Sequence, residues 1–409
     1  MKKGYVVLLV LGLVLVSLLL SGGCAQEKLK IGVLMSMTGD LGSYGPDISK
    51  GAELAAKHLN EAGGILGGDV ELVVKDDQTD PTAGADAAKK LVEIDKVPAI
   101  VGALSSGVTI AVAASASIPN KVVQISPAST SPAVAALDDD DYIYRTTPSD
   151  ALQGVVLAKL ASDLGFKKAA SLYVNNAYGQ GLAEAFAKAF QKLGGTVTAS
   201  VAIEMEQPSY DAELKKATAD KPDVLLALSY PESAKVYLRQ AIEKDYVKTF
   251  LFCDGTKSPE LIEAIGAEHL EGTYGTAAAV EESDITKWFA EAYEEVYGQL
   301  PPKPYIAEAY DATVIIALAA EKAGKAEGTA IRDAIRFVAN PPGEEVGPGP
   351  EDIKKALELI RDGKDINYQG AAGPQDFLPN GDVISTIGVF KIEGGKIIAY
   401  HHYEVPELE

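Results

Sequence analysis

Two hydroxyl-rich loops each follow a short apolar run. The first loop, Gly102 to Gly107, comes after Ala99 to Val101. The second, Ser126 to Thr130, comes after Lys121 to Ile125. Open α/β sheets bind ligands at the carboxyl ends of their strands, where backbone N–H groups at a helix start favour an anion. Either loop alone could be an ordinary turn with a capping hydroxyl. Together they predict a site for a small carboxylate.

The beginning of the chain has the form of a secretory signal. Lys2-Lys3 precedes an apolar stretch from Tyr5 to Leu20, and Ser21-Gly22-Gly23 precedes Cys24. The small-small-Cys ending resembles a lipobox, which predicts cleavage before a lipid-modified Cys24. The alternative is an uncleaved transmembrane anchor of about 20 residues. Both interpretations place the rest of the chain outside the cytoplasmic membrane, anchored to its outer face.

Length, charge and cysteine content restrict the class of protein. The chain has 409 residues and a formal net charge of −21. This length predicts two lobes, and this charge argues against nucleic-acid binding, which needs a basic face. After Cys24 only Cys253 remains, so no intramolecular disulfide is expected in the mature chain. A packed core must supply the stability.

Strand-like and helix-like runs alternate along the chain, which predicts an α/β fold with parallel sheets covered by helices. One predicted helix extends from Gly181 to Leu193, and Asn340 to Pro350 is predicted to be a surface loop. Crossings between lobes are expected near residues 145–148, after 272–276 and near 370–374. The predicted division is a signal peptide at 1–23, a first lobe from 24–148 and 277–372, and a second lobe from 149–276 and 373–409, including a C-terminal tail.

Short motifs in a fixed order resemble the branched-chain amino-acid-binding proteins of ABC importers, the leucine/isoleucine/valine type of periplasmic binding protein. They are Met37-Thr38-Gly39, Tyr44-Gly45, Asn60 to Ile65, Lys75 to Asp77, Tyr144 to Thr147, Tyr178 to Gly181, Tyr230 to Glu232, Tyr305, Tyr310 to Ala312 and Gly370 to Phe377. The resemblance implies a type I fold, in which three crossovers join two Rossmann-like lobes around the ligand.

The resemblance also implies roles for polar residues. Ser106 matches a serine that contacts the α-carboxylate of the ligand. The matching loop residues for carboxylate and ammonium are Ala128, Ser129 and Thr130. Asp254 falls where the family places an acidic residue against the ammonium, and it is one methylene shorter than the commoner glutamate. An enclosed zwitterion needs a partner for each charge, which these residue types can supply.

Four tyrosines match aromatic positions of the cleft in that family: Tyr44, Tyr178, Tyr230 and Tyr305. A tyrosine presents an apolar face and one polar tip, which suits a wall against a ligand side chain, although ordinary core packing is the alternative for each. Ala307 is small where some family members carry a bulky aromatic, which implies a larger side-chain pocket in this chain.

No catalytic constellation, metal site or cofactor motif is apparent in the sequence, so we expect a binding protein and not an enzyme. The first hypothesis is a monomeric, substrate-binding lipoprotein of amino-acid transport. It would capture an amino acid, of the branched-chain class, and deliver it to an ABC permease with its ATPase subunits. The alternative is a ligand sensor or receptor on the same fold, for amides or other small carboxylates.

Overall fold

The computed structural model describes residues 28–279 and 282–403. The first lobe is built on five strands: β1 (Lys30–Met35), β2 (Glu71–Asp76), β3 (Ala99–Gly102), β4 (Val123–Ser126) and β5 (Ile143–Arg145). They form a parallel sheet in the order β2-β1-β3-β4-β5. The central strands β3 and β4 are buried along their whole length, as expected for a parallel sheet covered on both faces.

The first part of the chain also supplies the helices α1 (Gly45–Glu61), α2 (Pro81–Glu93) and α3 (Ser106–Val112) to this lobe, and α3 continues through a π-helical turn (Ala113–Ser117) into a last α-helical turn (Ile118–Asn120). Helix α2 begins at Pro81 with a capped first turn. The side chain of Asp80 accepts the backbone N–H groups of Thr82 and Ala83, at 2.9 and 2.8 Å. This N-cap satisfies two of the donors that a helix start leaves free.

The chain then enters the second lobe. Its strands here are β6 (Lys168–Val174), β7 (Thr196–Ile203), β8 (Val224–Leu228), β9 (Phe250–Phe252) and β10 (Tyr274–Ala279). Its helices are α4 (Asp150–Asp163), α5 (Ala177–Lys192), α6 (Asp211–Thr218), α7 (Pro231–Glu243), α8 (Pro259–Ile265) and α9 (Ala267–Leu270). Every β–α alternation places a helix start at the carboxyl end of a strand, which directs these starts to one edge of the sheet.

After β10 the chain returns to the first lobe. It forms the helices α10 (Asp284–Tyr297), α11 (Ile306–Ala323), α12 (Gly328–Ala339) and α13 (Pro350–Arg361), and the short strands β11 (Glu344–Val346), β12 (Ile366–Gly370) and β13 (Gly373–Pro374). Helix α11 is the core of this part, because it packs against α1, α12 and α13. Its residues from Ala309 to Ala320 are all buried.

The last two strands, β14 (Thr386–Glu393) and β15 (Lys396–His402), complete the sheet of the second lobe. Its order is β15-β14-β10-β9-β8-β6-β7, and only β14 and β15 run antiparallel to their neighbours. The chain therefore passes between the two sheets after β5, after β10 and after β13. The predicted α/β class, with two lobes of largely parallel sheet and three crossovers, is confirmed.

The third crossover is held by a buried carboxylate on α11. Asp311 accepts the Tyr368 hydroxyl and the backbone N–H of Ala371 at Oδ1, both at 2.8 Å, and the backbone N–H of Ala372 at Oδ2, also at 2.8 Å. Gly370 permits this approach, since a Cβ there would lie 2.3 Å from Asp311 Oδ2. Burial raises the pKa of Asp311 to about 7. This carboxylate fixes the crossover to the first lobe.

Two details differ from the sequence-based prediction. Helix α5 begins at Ala177, four residues before the predicted start, because Asn176 caps it by accepting the backbone N–H of Gly179 at 3.0 Å. The predicted loop from Asn340 to Pro350 contains strand β11, which pairs with β12. Its Pro and Gly content concealed a strand of only three residues.

The predicted signal segment and the lipidation residue Cys24 lie outside the described residues. Within residues 28–279 and 282–403, no helix combines the length and the apolarity needed to cross a bilayer.

Candidate functional site

Four tyrosines stand at helix starts that converge on a cleft between the lobes. Tyr44, Tyr230 and Tyr305 each precede the first residue of a helix (α1, α7 and α11), and Tyr178 is the second residue of α5. All four are buried and line the cleft. The rings of Tyr178 and Tyr230 stack with their centres 5.3 Å apart. The predicted aromatic wall is therefore assembled from both lobes.

The rest of the cleft wall is mostly apolar. It includes Leu41, Ile48 and Leu104, which the sequence analysis missed, together with Ala128 and Gly255. The free volume left within the cleft is about 10 Å³, about what a single water molecule needs. The two lobes are therefore closed on this cleft, and a solute can enter it only when they open.

Asp254 is the buried carboxylate of the cleft. The hydroxyls of Tyr305 and Tyr178 donate to it at 2.6 and 2.8 Å, and Gln153 Nε2 donates at 2.8 Å. Burial raises the pKa of Asp254, and these three donors oppose the rise. Three donors aimed at one carboxylate favour its ionised form. The arrangement presents a negative charge at the wall of an otherwise apolar cleft.

A second buried carboxyl group, Asp150, lies close to Asp254 and was not predicted as a site residue. Its Oδ2 accepts the Thr130 hydroxyl at 2.9 Å, while its Oδ1 has no hydrogen-bond partner within the described ranges. Burial raises the pKa of Asp150 well above its usual value, and the neighbouring charge of Asp254 raises it further. Two adjacent buried carboxyls rarely ionise together. Asp254 has the better donors, so Asp150 is the group that keeps its proton.

The two hydroxyl-rich loops lie side by side in the first lobe. Ser106 lines the cleft, and its hydroxyl accepts the backbone N–H of Ser131 at 3.2 Å. Ser129 and Thr130 lie directly behind the wall. The Ser129 hydroxyl donates to the carbonyl of Leu104 at 3.1 Å, which ties one loop to the other. Thus seven of the nine predicted binding residues line the cleft, and these two support it.

Tyr305 has an unusual backbone conformation. Its φ is +79°, in the left-handed region that residues with a side chain seldom adopt. The conformation ends the loop after α10 abruptly and directs the Tyr305 hydroxyl to Asp254. Strain of this kind persists where surrounding contacts fix a residue, commonly at functional sites.

Hydrogen bonds also join the two lobes across the cleft. The Tyr44 hydroxyl donates to the carbonyl of Asp254 at 2.9 Å. Outside the cleft wall, Asp40 of the first lobe accepts both the backbone N–H and the hydroxyl of Ser233, at 3.0 and 2.8 Å. Ser233 lies in the first turn of α7, so Asp40 caps a helix of the opposite lobe. Burial raises the pKa of Asp40 to about 6.

Ala307 and the expected absence of a metal site complete the comparison with the predicted site. Ala307, expected to enlarge the side-chain pocket, lies instead in the wall of a different cavity beyond Tyr305. As for metals, the described residues contain no group of three or more His, Cys, Asp or Glu side chains that could hold an ion.

Comparison with known proteins agrees with this geometry. The sequence model of the periplasmic binding protein family matches residues 28–396. The chemotactic signal transduction substrate-binding protein BasB of Halobacterium salinarum is 31% identical, over 86% of this chain and 84% of BasB. The Leu/Ile/Val-binding protein BraC3 of Rhizobium johnstonii is 29% identical, over 92% and 94% of the two chains.

A solved structure extends the likeness to three dimensions. The leucine-binding protein LivK of Thermotoga maritima superposes with a TM-score of 0.79 at 28% identity, covering 93% of this chain and 99% of LivK. The two chains therefore share one overall fold. The chain therefore belongs to the periplasmic binding protein family, as a type I solute-binding protein of the branched-chain amino-acid type.

Proposed function

We propose that the protein captures an α-amino acid with an apolar side chain, of the branched-chain class, between its two lobes. The observation that carries the proposal is Asp254, a buried carboxylate with three donors at the wall of a small apolar cleft. A buried negative charge in such a place needs a cationic partner, and the α-ammonium of an amino acid is one.

The other parts of an amino acid find matching surfaces. Ser106 and the free backbone N–H groups at the start of α3 suit the carboxylate. Leu41, Ile48 and the tyrosine rings suit an aliphatic side chain. The names of BraC3 and LivK state Leu/Ile/Val and leucine as their ligands, which supports the same ligand class for this chain.

We further propose delivery of the ligand to an ABC permease with its ATPase subunits. The ligand would stabilise closure of a first lobe (24–148 and 277–372) onto a second (149–276 and 373–409). The permease would recognise the closed form. An extracytoplasmic location follows from the family, and a lipid on Cys24 would hold the receptor, as a monomer, close to the permease.

The proposed lipid anchor on Cys24 can be tested by measuring the mass of the protein. We expect protein extracted from membranes to lack residues 1–23 and to carry added acyl mass on Cys24, because the order of positive, apolar and small residues before Cys24 is that of a lipoprotein signal. Intact-mass spectrometry of detergent-solubilised protein measures both changes. A full-length, unmodified N-terminus would instead support the transmembrane-anchor alternative.

Ser106→Ala should weaken amino-acid binding about 10- to 150-fold, and Thr130→Ala about 2- to 10-fold. Ser106→Ala removes a hydrogen bond to the charged carboxylate of the ligand, worth roughly 1.5–3 kcal/mol, whereas Thr130→Ala removes a hydrogen bond to the protonated Asp150, worth roughly 0.5–1.5 kcal/mol. Isothermal titration calorimetry gives the affinities. The matched control is Ser115→Ala, which removes a hydroxyl bonded to the carbonyl of Ala111, away from the cleft. Unchanged affinity in Ser106→Ala would place the carboxylate elsewhere.

The relative BasB favours one alternative, a receptor that reports its ligand to a signalling system. Both functions need the same cleft, so a binding panel decides the ligand and a transport assay decides the role. The panel is a thermal-shift series of the twenty amino acids with amides and aromatic acids. Stabilisation by leucine, isoleucine or valine supports the proposal, and a preference for amides or plain acids contradicts it. Loss of amino-acid uptake on deletion of the gene distinguishes importer from sensor.

A further inference from the structure

A second cavity lies beyond Tyr305, where the chain crosses between the lobes. Its volume is about 340 Å³, against about 10 Å³ in the cleft, and it opens to solvent. Phe289 of α10 and Ala307 of α11 line it from the first lobe, and Val389 and Phe390 of β14 line it from the second. We name it the hinge cavity. Its walls are largely apolar, and its size is that of a small-molecule site.

Two charged side chains of opposite sign face the hinge cavity without pairing. Lys257 is half-buried, and its Nζ lies 5.7 Å from the centre of the Phe390 ring. Glu308 is only 7% exposed. The two charges attract each other. Among the described residues, however, neither side chain has an ion-pair partner within 4.0 Å, whereas Lys303, the third charged residue of the wall, pairs with Asp47 and Glu260.

Burial makes the charged forms of Lys257 and Glu308 energetically unfavourable. Burial lowers the pKa of Lys257 and raises that of Glu308 to about 7. The backbone N–H groups of Tyr305 and of Glu308 itself, together with Lys257, lower the pKa of Glu308 and only partly offset its burial, while the buried Asp311 carboxyl one turn along α11 raises it further. Lys257 and Glu308 stand at separate points of one apolar cavity. A ligand that carries both an anionic and a cationic group could pair with each of them.

We propose that the hinge cavity is a second binding site for an α-amino acid with an apolar side chain, whose carboxylate pairs with Lys257 and whose ammonium pairs with Glu308. Its aliphatic part packs on Phe289 and Phe390. The ring of Tyr305 is a wall of both the hinge cavity and the cleft, so an occupant contacts the residue that donates to Asp254. The inference does not depend on which solute the cleft binds.

Equilibrium dialysis of the full-length protein with radiolabelled L-leucine tests the number of sites. We expect two bound leucines per wild-type chain at saturation. Lys257→Met and Glu308→Gln should each leave one, and that remaining site shows that the variant is folded. Asp254→Asn should also leave one, in the hinge cavity. Lys248→Met, at an exposed lysine, is the matched control and should keep two.

The outcomes separate this inference from the proposed function. A single leucine that is lost in Asp254→Asn and kept in Lys257→Met would overturn the hinge site while supporting the cleft. A single leucine that is lost in Lys257→Met and kept in Asp254→Asn would support the hinge site and contradict leucine binding in the cleft. Two leucines in Lys257→Met, or none in the wild type, would also overturn the hinge site.

Proton release gives an independent measurement. Near pH 7 the carboxyl of Glu308 is partly protonated, and a bound ammonium should ionise it. The calorimetric enthalpy of leucine binding at pH 7 should therefore depend on the ionisation enthalpy of the buffer, with up to about half a proton released per hinge-site ligand. Glu308→Gln should abolish this dependence. A dependence that persists in Glu308→Gln would contradict the assigned role.

Discussion

Replacing Asp254 with asparagine should lower the affinity for leucine, isoleucine or valine by roughly two to three decades. The substitution keeps the shape of the side chain and removes its charge, so a bound ammonium would be buried without its partner, at a cost of about 3–5 kcal/mol. Tyr178 and Tyr305 would also lose the carboxylate to which they donate. Titration calorimetry with each amino acid measures the loss, with Lys257→Met introduced into both parent and variant so that only the cleft binds.

Two controls make the result specific to the charge pair. The deaminated analogue 4-methylpentanoate lacks the ammonium, so its binding should change much less in Asp254→Asn. Asp220→Asn removes a charge from an exposed position of the same lobe and should leave all affinities unchanged. Equal binding of the amino acid by parent and Asp254→Asn, or preference of the parent for the deaminated acid, would refute the amino-acid assignment in favour of the sensor alternative.

Asp311→Ala should lower the free energy of unfolding by about 3–4 kcal/mol at pH 7.5. Asp311 accepts hydrogen bonds from Tyr368, Ala371 and Ala372 in the third crossover. Truncation leaves these buried donors unsatisfied, at about 1–3 kcal/mol each before relaxation. Urea unfolding followed by circular dichroism measures the change. Asp365→Ala breaks an exposed ion pair with Lys322 and is the matched control, with an expected cost below about 1 kcal/mol.

The same substitution should have a defined pH dependence. Burial raises the pKa of Asp311 to about 7, whereas an unfolded aspartate titrates near 3.9. Between these values the native state holds a proton that the unfolded state has lost, so the contribution of Asp311 to stability falls as the pH rises. The destabilisation by Asp311→Ala should therefore be larger at pH 5 than at pH 7.5. A smaller loss at pH 5 would show that Asp311 is ionised throughout.

Local signals predicted the fold, and the family resemblance supplied the candidate cleft residues, whose roles in binding stay predictions. The α/β class follows from strands and helices whose apolar residues alternate at recognisable spacing, and α2 begins with a Pro preceded by an Asp cap. The four tyrosines lie at helix starts, and Tyr178 and Tyr230 also closely follow strand ends, which topology directs to one edge of a sheet. Ser106 and Asp254 reach the cleft for the same reason.

Contacts between distant parts of the chain limited the prediction of the site. Gln153 reaches Asp254 across about a hundred residues of sequence, and Asp150 becomes part of the site through Thr130. Neither residue follows a strand, so spacing gave no signal. The position of Ala307 could not be predicted from the sequence. The left-handed backbone of Tyr305 turns the first residues of α11 away from the cleft, so that Ala307 lines the hinge cavity. A single-residue conformation of this kind has no periodicity to detect.

The cap that Asp40 places on α7 bears on selectivity. Asp40 and Ser233 join the lobes outside the cleft wall, so their hydrogen bonds form in the same way whichever solute is enclosed. Such a contact raises the affinity for every solute by the same factor. It therefore leaves the ratio of the affinities for any two solutes unchanged. It also raises the fraction of ligand-free protein that is in the closed conformation. Evolution can thus adjust how long this protein holds its cargo without altering which cargo it chooses.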